Sequence, residues 1–119
     1  MQLTDGLELH EYAYLTTSGR VSGRPHRIEI WFVVIDGSVW MNSGGRDRSD
    51  WVRNLVATPA VVLEIGESRW PGVATTHPTL LEHPARERLA QRYQGWQPGR
   101  PLSEWATQSL LIEVVVVDS

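Results

Sequence analysis

At 119 residues with a formal net charge of −3, the chain has the length of one domain, 1–119, and can bury roughly two-thirds of its unfolded surface without staples. It has no cysteine, which excludes a disulfide framework, a thiolate metal site and a cysteine nucleophile, and its acidic balance argues against nucleic-acid binding. No apolar run suits a signal peptide or an integral membrane segment, so a soluble, cytoplasmic protein is expected.

Leu7 to Thr17 alternates, with Leu7, Leu9, Ala13 and Leu15 on one face and Glu11 as its one break, and predicts a half-buried strand. A loop follows from Thr16 to Pro25. It holds Gly19 and Gly23, and Arg20, Arg24 and Arg27 fall in or beside it with no acid between Ser18 and Arg27. Glycine lets backbone N–H groups approach an anion, and arginine adds bidentate donors. The stretch reads as a phosphate cradle. Arginines of such a loop that merely face water contribute little to stability, so Arg20 should be replaceable in the ligand-free protein.

Arg27 to Ile35 predicts one continuous strand. Ile28, Ile30, Phe32 and Val34 form a core face. The other face carries Trp31 and Ile35, and so should meet a ligand or a second subunit. Asp36-Gly37 is a two-residue hairpin signal, and the chain returns antiparallel through Val39 to Ser43. That register brings the Asn42–Gly45 loop beside the end of the first loop, as one joint site. Ser49 should cap a helix over Asp50 to Thr58 that carries Trp51, Asn54 and Leu55 and ends before Pro59.

Ala60 to Ile65 and Arg69 to Thr76 predict two further strands around a Gly66-Glu67-Ser68 turn. A helix should run from Pro84 to Tyr93, with Ala85, Leu89 and Tyr93 as its buried stripe and Gly95 as its stop. Ser103 can cap a short turn through Trp105, and Leu110 to Val117 predicts the last strand. About six mostly antiparallel strands with two or three short helices give a mainly β, α+β chain, a small barrel with helices covering its ends.

Candidate chemistry narrows quickly. No Gly-x-Ser-x-Gly elbow is present, and all eleven basic residues are arginine, which excludes a lysine Schiff base. His10, His26, His77 and His83 show no metal-ligand spacing, and His77 and His83 read as loop residues. There is no Walker or dinucleotide fingerprint. A phosphate site in a chain with six tryptophans suits a flavin-like cofactor that carries the redox chemistry itself, so no catalytic side chain is expected.

Thr16-Thr17-Ser18-Gly19-Arg20-Val21-Ser22-Gly23-Arg24-Pro25 closely resembles the signature of the deazaflavin (coenzyme F-420)-dependent nitroreductase and quinone reductase family. Gly44-Gly45 followed by Asp50-Trp51-Val52-Arg53-Asn54-Leu55-Val56-Ala57-Thr58-Pro59 resembles the family's second motif. The resemblance implies a split β-barrel and hydride transfer from reduced F-420 to a small-molecule acceptor such as a quinone, an enone or a nitro compound. It implies that Arg20, Ser22, Gly23, Arg24, His26 and Arg27 meet the cofactor's phosphate or acidic tail. It places Ser43, Gly44, Gly45, Trp51 and Asn54 around the cofactor, with Trp31 and Asn42 on the substrate side. Val21, His26 and Ser43 depart from family positions where basic residues are common. These departures leave open an alternative, a non-catalytic split-barrel binding protein for FMN, heme or another ligand. Split barrels commonly dimerise, so a homodimer is a further expectation.

Overall fold

The computed structural model describes residues 2–117. The strands are β1 (Ala13–Ser18), β2 (Pro25–Ile30), β3 (Val33–Ile35), β4 (Ser38–Ser43), β5 (Ala60–Ile65), β6 (Ser68–His77) and β7 (Leu110–Val116), and the helices are α1 (Asp50–Ala57), α2 (Pro84–Gln94) and α3 (Glu104–Gln108). The seven strands pair antiparallel in the order β2-β1-β5-β6-β7-β4-β3. This is the split-barrel α+β architecture.

The order has a consequence that the chain itself enforces. β2 and β3 lie at opposite edges of the sheet, yet only Trp31 and Phe32 separate them in sequence. A flat sheet cannot satisfy both, so it curls until its edges meet. The expected strand Arg27–Ile35 is therefore broken in two. Backbone groups at the break must bond elsewhere, and α2 supplies the partners. Phe32 donates its N–H to Tyr93 Oη at 3.1 Å, and its carbonyl accepts from the Arg92 guanidinium. Tyr93 Oη in turn donates to the Glu11 carbonyl at 2.7 Å.

The curl makes two apolar layers. Inside the barrel, Ala13, Leu15, Phe32, Val34, Val39, Met41, Leu63, Ile112 and Val114 pack with Val52 and Leu55 of α1. Outside it, Val33, Trp40 and Leu111 pack under Ala85 and Leu89 of α2, with Trp31, Ile35, Tyr93 and Trp105 around them. The Trp31–Ile35 face thus meets the chain's own helix, where a ligand or second subunit was expected. Trp31 stacks on Tyr93 with ring centroids 4.7 Å apart and touches Trp105 edge-on at 5.4 Å.

The amino-terminal alternation is misleading. Asp5–Leu9 forms a 3-10 helix, and the first strand begins only at Ala13. Leu9 is 88% exposed. Glu8 explains the difference: its carboxylate accepts from the Val34 N–H at 2.9 Å and from Arg88 at 2.7 Å, while its carbonyl accepts from Arg92. The segment is tied across β3 and α2, which a strand continuing β1 could not reach.

α1 ends at Ala57, with Thr58 as its cap residue. Ser49 occupies the N-cap position, but its hydroxyl bonds Ser43 Oγ at 3.0 Å and makes no cap bond. α2 has Pro84 at its first turn and left-handed Gly95 (φ 69°) at its end. His83 caps it, through Nδ1 accepting the Ala85 N–H at 3.0 Å. His77, also expected in a loop, ends β6 and contacts Glu113 at 3.1 Å. Arg86 is 4% exposed. No carboxylate pairs with it among the described residues. It donates instead to the carbonyls of Ala106 and Ser109 at the end of α3, and of Leu80. A cation at a helix C-terminus is favourable, and this one locks α3 against α2.

The His83 cap requires an unprotonated Nδ1. Burial, the largest influence, holds the imidazole below its usual pKa; His77 and Arg86 push the same way, and Glu113 and Asp36 oppose. The unfolded chain therefore binds this proton more readily than the folded one. The cap's contribution is complete above the ordinary histidine range and is lost as pH falls through the folded value. His83→Asn keeps a capping oxygen without a titrating ring. Its melting temperature, measured against wild type from pH 8 to 5, should fall less on acidification. Parallel curves would show that His83 does not carry this pH dependence.

Candidate functional site

Two clefts lie along β2, one at each end. The first is formed by the Gly19–Ser22 turn, His26, Asp50 and Asn54, and holds about 160 Å³. The turn closes on itself. Gly19 donates to the Arg24 carbonyl, Gly23 to the Gly19 carbonyl, both at 2.8 Å, and the Arg24 N–H to Ser22 Oγ at 3.2 Å. Gly23 needs its positive φ of 74°. A Cβ on Gly19 would stand 3.0 Å from Ser22 Oγ and 3.1 Å from the Arg24 carbonyl. The Arg20 N–H is also engaged, by Asn54 Oδ1 at 3.2 Å. These glycines shape a turn whose amides mostly serve the turn, so an anion here would meet mainly side chains.

The three arginines differ. Arg20 donates to Asn54 Oδ1 at 2.9 Å and pairs with Asp50 at 3.2 Å. Arg27 pairs with Glu64 at 3.1 Å and lies over the Tyr14 ring at 3.9 Å. The loop's missing acids are thus supplied by α1 and β5, from residues distant in sequence. The exposed Arg24 guanidinium has no carboxylate partner among the described residues. Asp50 is 74% exposed, so its pair with Arg20 is water-screened and an anionic ligand can displace it at small cost. Asn54 is fully enclosed and holds the loop to α1, with Nδ2 donating to Thr17 Oγ1 at 3.2 Å. That role was not visible in its spacing.

The second cleft opens where the β3–β4 ladder stops. Val33 pairs with Trp40; continued two residues, that register would set Trp31 opposite Asn42. The break at Trp31–Phe32 pulls the strands apart instead. The space between, about 250 Å³, is lined by Tyr12, Glu29, Ile30, Trp31, Asn42 and Trp105. Asn42 is 7% exposed; its Nδ2 donates to Ser109 Oγ at 2.8 Å, and its Oδ1 has no partner. Turning the amide over would let Ser109 donate to Oδ1 and leave Nδ2 unpartnered. In either orientation one end of this buried amide, beside the cleft, has no partner among the described residues. Tyr12, Glu29 and Trp105 are cleft residues that sequence reasoning missed, because the break that gathers them has no local signature.

In the second Gly-rich loop the glycines make room for neighbouring side chains. A Cβ on Gly44 would meet the Trp105 indole at 3.0 Å, and one on Gly45 would meet Ser49 Oγ at 2.6 Å. Gly44 thus admits the cleft's tryptophan wall. The first loop docks on Asp50 and Asn54 of α1, so each glycine loop serves its own cleft. Ser43 is buried, with Oγ at 3.0 Å from the Arg46 carbonyl and from Ser49 Oγ. Trp51 packs against the barrel interior.

The tyrosines along the cleft keep their protons. The neighbouring Glu11 carboxylate holds Tyr12 above the ordinary phenol range, and Glu29, which accepts from Tyr14 Oη, does the same for Tyr14. Burial raises Tyr93.

A family model described as F420H(2)-dependent quinone reductase matches residues 2–118. Among solved structures, the chain is similar to the conserved hypothetical protein Rv2991 from Mycobacterium tuberculosis, with 22% identity and a TM-score of 0.75 over 98% of this chain and 83% of that one. An F420 reductase shows 19% identity and a TM-score of 0.69 over 98% and 97% of the two chains. The heme storage protein HutZ from Vibrio cholerae shows 14% and 0.71 over 100% and 93%. At such identities these likenesses describe the fold. No match was found among curated proteins.

The contacts of Asn54 and Arg20 generate a stability test. Removing the Asn54 amide leaves the Arg20 N–H and Thr17 hydroxyl without partners, which costs roughly 1–3 kcal/mol. Asn54→Ala should lower the denaturant midpoint of the ligand-free protein accordingly. Arg20→Ala should lower it by a smaller amount, contrary to the neutrality expected of a loop arginine. A midpoint unchanged in both would mean that the loop is not fastened through this contact.

Proposed function

The chain belongs to the F420H(2)-dependent quinone reductase family, and we propose that its acceptor is a planar quinone, enone or nitro compound held in the split between β2 and β4. The observation that carries this reading is the buried Asn42 amide, one end unpartnered, in a tryptophan-walled cleft. The cleft suits a flat, electron-poor ring with an oxygen at its edge.

The residues present fit the cofactor. Arg20, Arg24 and His26 can meet its phosphate, with Ser22 and Gly23 shaping the turn between them. Arg27, now paired with Glu64, would meet the acidic tail. Asn54 positions Arg20, and Ser43, Gly44, Gly45 and Trp51 would stand on the side of the ring. When bound, the deazaflavin supplies a hydride, and a quinone that takes it with one proton leaves as the hydroquinone. Trp31 and Trp105 wall the acceptor and exclude water. By turning its unpartnered end toward the cleft, the Asn42 amide would donate from Nδ2 to the acceptor oxygen on which negative charge develops. Tyr12 holds a proton at Oη beside it. The protein's share is orientation and desolvation.

Arg24 gives the cleanest test, since no described contact depends on its guanidinium. Charge-assisted hydrogen bonds are worth roughly 1.5–3 kcal/mol, and ~1.4 kcal/mol is one decade of affinity. Arg24→Ala should leave the melting temperature unchanged and weaken F-420 binding by about tenfold, read as tryptophan quenching. High salt should weaken the wild type too. Reduced F-420 should be oxidised with a naphthoquinone acceptor, and NADPH should not replace it. Binding without turnover, or tighter binding of FMN or heme, would favour the carrier reading. Equal, salt-independent binding by both proteins would remove the phosphate cradle from this loop.

A further inference from the structure

The lining of the split is neutral at Tyr12, Ile30, Trp31, Asn42 and Trp105, and carries one charge, on Glu29. The β1–β2 register sets Tyr14 opposite Glu29 and Thr16 opposite Arg27. Tyr14 Oη donates to Glu29 Oε1 at 2.9 Å, which fixes the carboxylate at the cleft's rim. The nearest arginine along the strand does not neutralise it. Arg27 is held away by Glu64 at 3.1 Å and by the far side of the Tyr14 ring, 3.9 Å below its guanidinium. Tyr14 thus stands between a compensated cation and an uncompensated anion.

Resting on the reading of the split as the acceptor site, we infer that Glu29 selects acceptors by charge: the cleft takes planar acceptors that are neutral or cationic and rejects anionic ones. The first cleft differs: Arg20 and Asp50 line it as a pair, and the exposed Arg24 guanidinium adds a cation at the same turn, so an anion is favoured there over the Glu29 end. The carboxylate is exposed, so its influence is moderate and screened by salt. An effect of about five- to tenfold at low ionic strength is expected from one charge near a ligand at a protein surface.

The test compares three naphthoquinones of matched ring size: unsubstituted, sulfonated and trimethylammonium-substituted. Glu29→Gln retains the shape and an oxygen for Tyr14. In the wild type, kcat/KM for the cationic compound should exceed that for the sulfonate, and the ratio should fall about five- to tenfold in Glu29→Gln and at high salt. The same ratio in both proteins would overturn the inference. Affinity for each compound, read by tryptophan quenching on the full chain, gives a second arm that needs no turnover. If no compound is reduced but the affinity ratio shifts in Glu29→Gln, the reductase reading fails while the charge selection stands. If turnover occurs and neither ratio moves, the charge selection fails and the reductase reading stands.

Discussion

A strand that must lie at both edges of one sheet is the constraint on which this molecule depends. The continuous backbone from Pro25 to Ile35 supplies β2 to one edge and β3 to the other. The sheet closes around it, and the peptide groups at Trp31 and Phe32 leave the ladder. Tyr93 and Arg92 receive the groups of Phe32, and Glu8 fastens the amino-terminal segment to the same place. The outer apolar layer, the stacked Trp31 and the open split all follow from that departure.

Much of this was legible in sequence because it rests on local chemistry. Asp36-Gly37 turns the hairpin with both residues at positive φ, and the faces of Ile28, Phe32 and Val34 and of Ile112 and Val114 pack where their alternation put them. Pro84 and Gly95 bracket α2. The misses share a cause, which is that partners far away in the chain override local pattern. Leu7 and Leu9 alternate like a strand, but Glu8 holds a backbone amide of β3. Nothing within Arg27–Ile35 marks the break, since the residue that receives its amide is on α2. His83 does lie in a loop, as its sequence suggests, but only the fold shows its ring against Trp40, 4.1 Å away.

The candidate site was half legible for the same reason. Arg20, Ser22 and His26 do line one cleft together with Asn54, and Trp31 and Asn42 line the other. Tertiary contacts alone show why each is placed so. The arginine loop appeared free of acids, yet Asp50 and Glu64 arrive from α1 and β5. The glycines appeared to offer amides to an anion. Gly44 instead makes room for an indole, and Gly19 for a turn. Buried Arg86 joins these distant pieces. By holding the last carbonyls of α3, it sets Trp105 and Ser109 relative to Asn42.

The ladder ends at Val33 and Trp40, and beyond them the split is walled by Glu29, Ile30 and Asn42 of the strands, by Trp31 backed on Tyr93 of α2, and by Trp105 of α3. The width of the opening is therefore governed in part by Trp31, Tyr93 and Trp105, which belong to no strand ladder. Lineages could exchange the residues at 31, 93 and 105 for larger or smaller ones and re-dimension the opening without shifting a single strand register. Frame and aperture can thus change separately, the opening taking a new size while the sheet keeps its order.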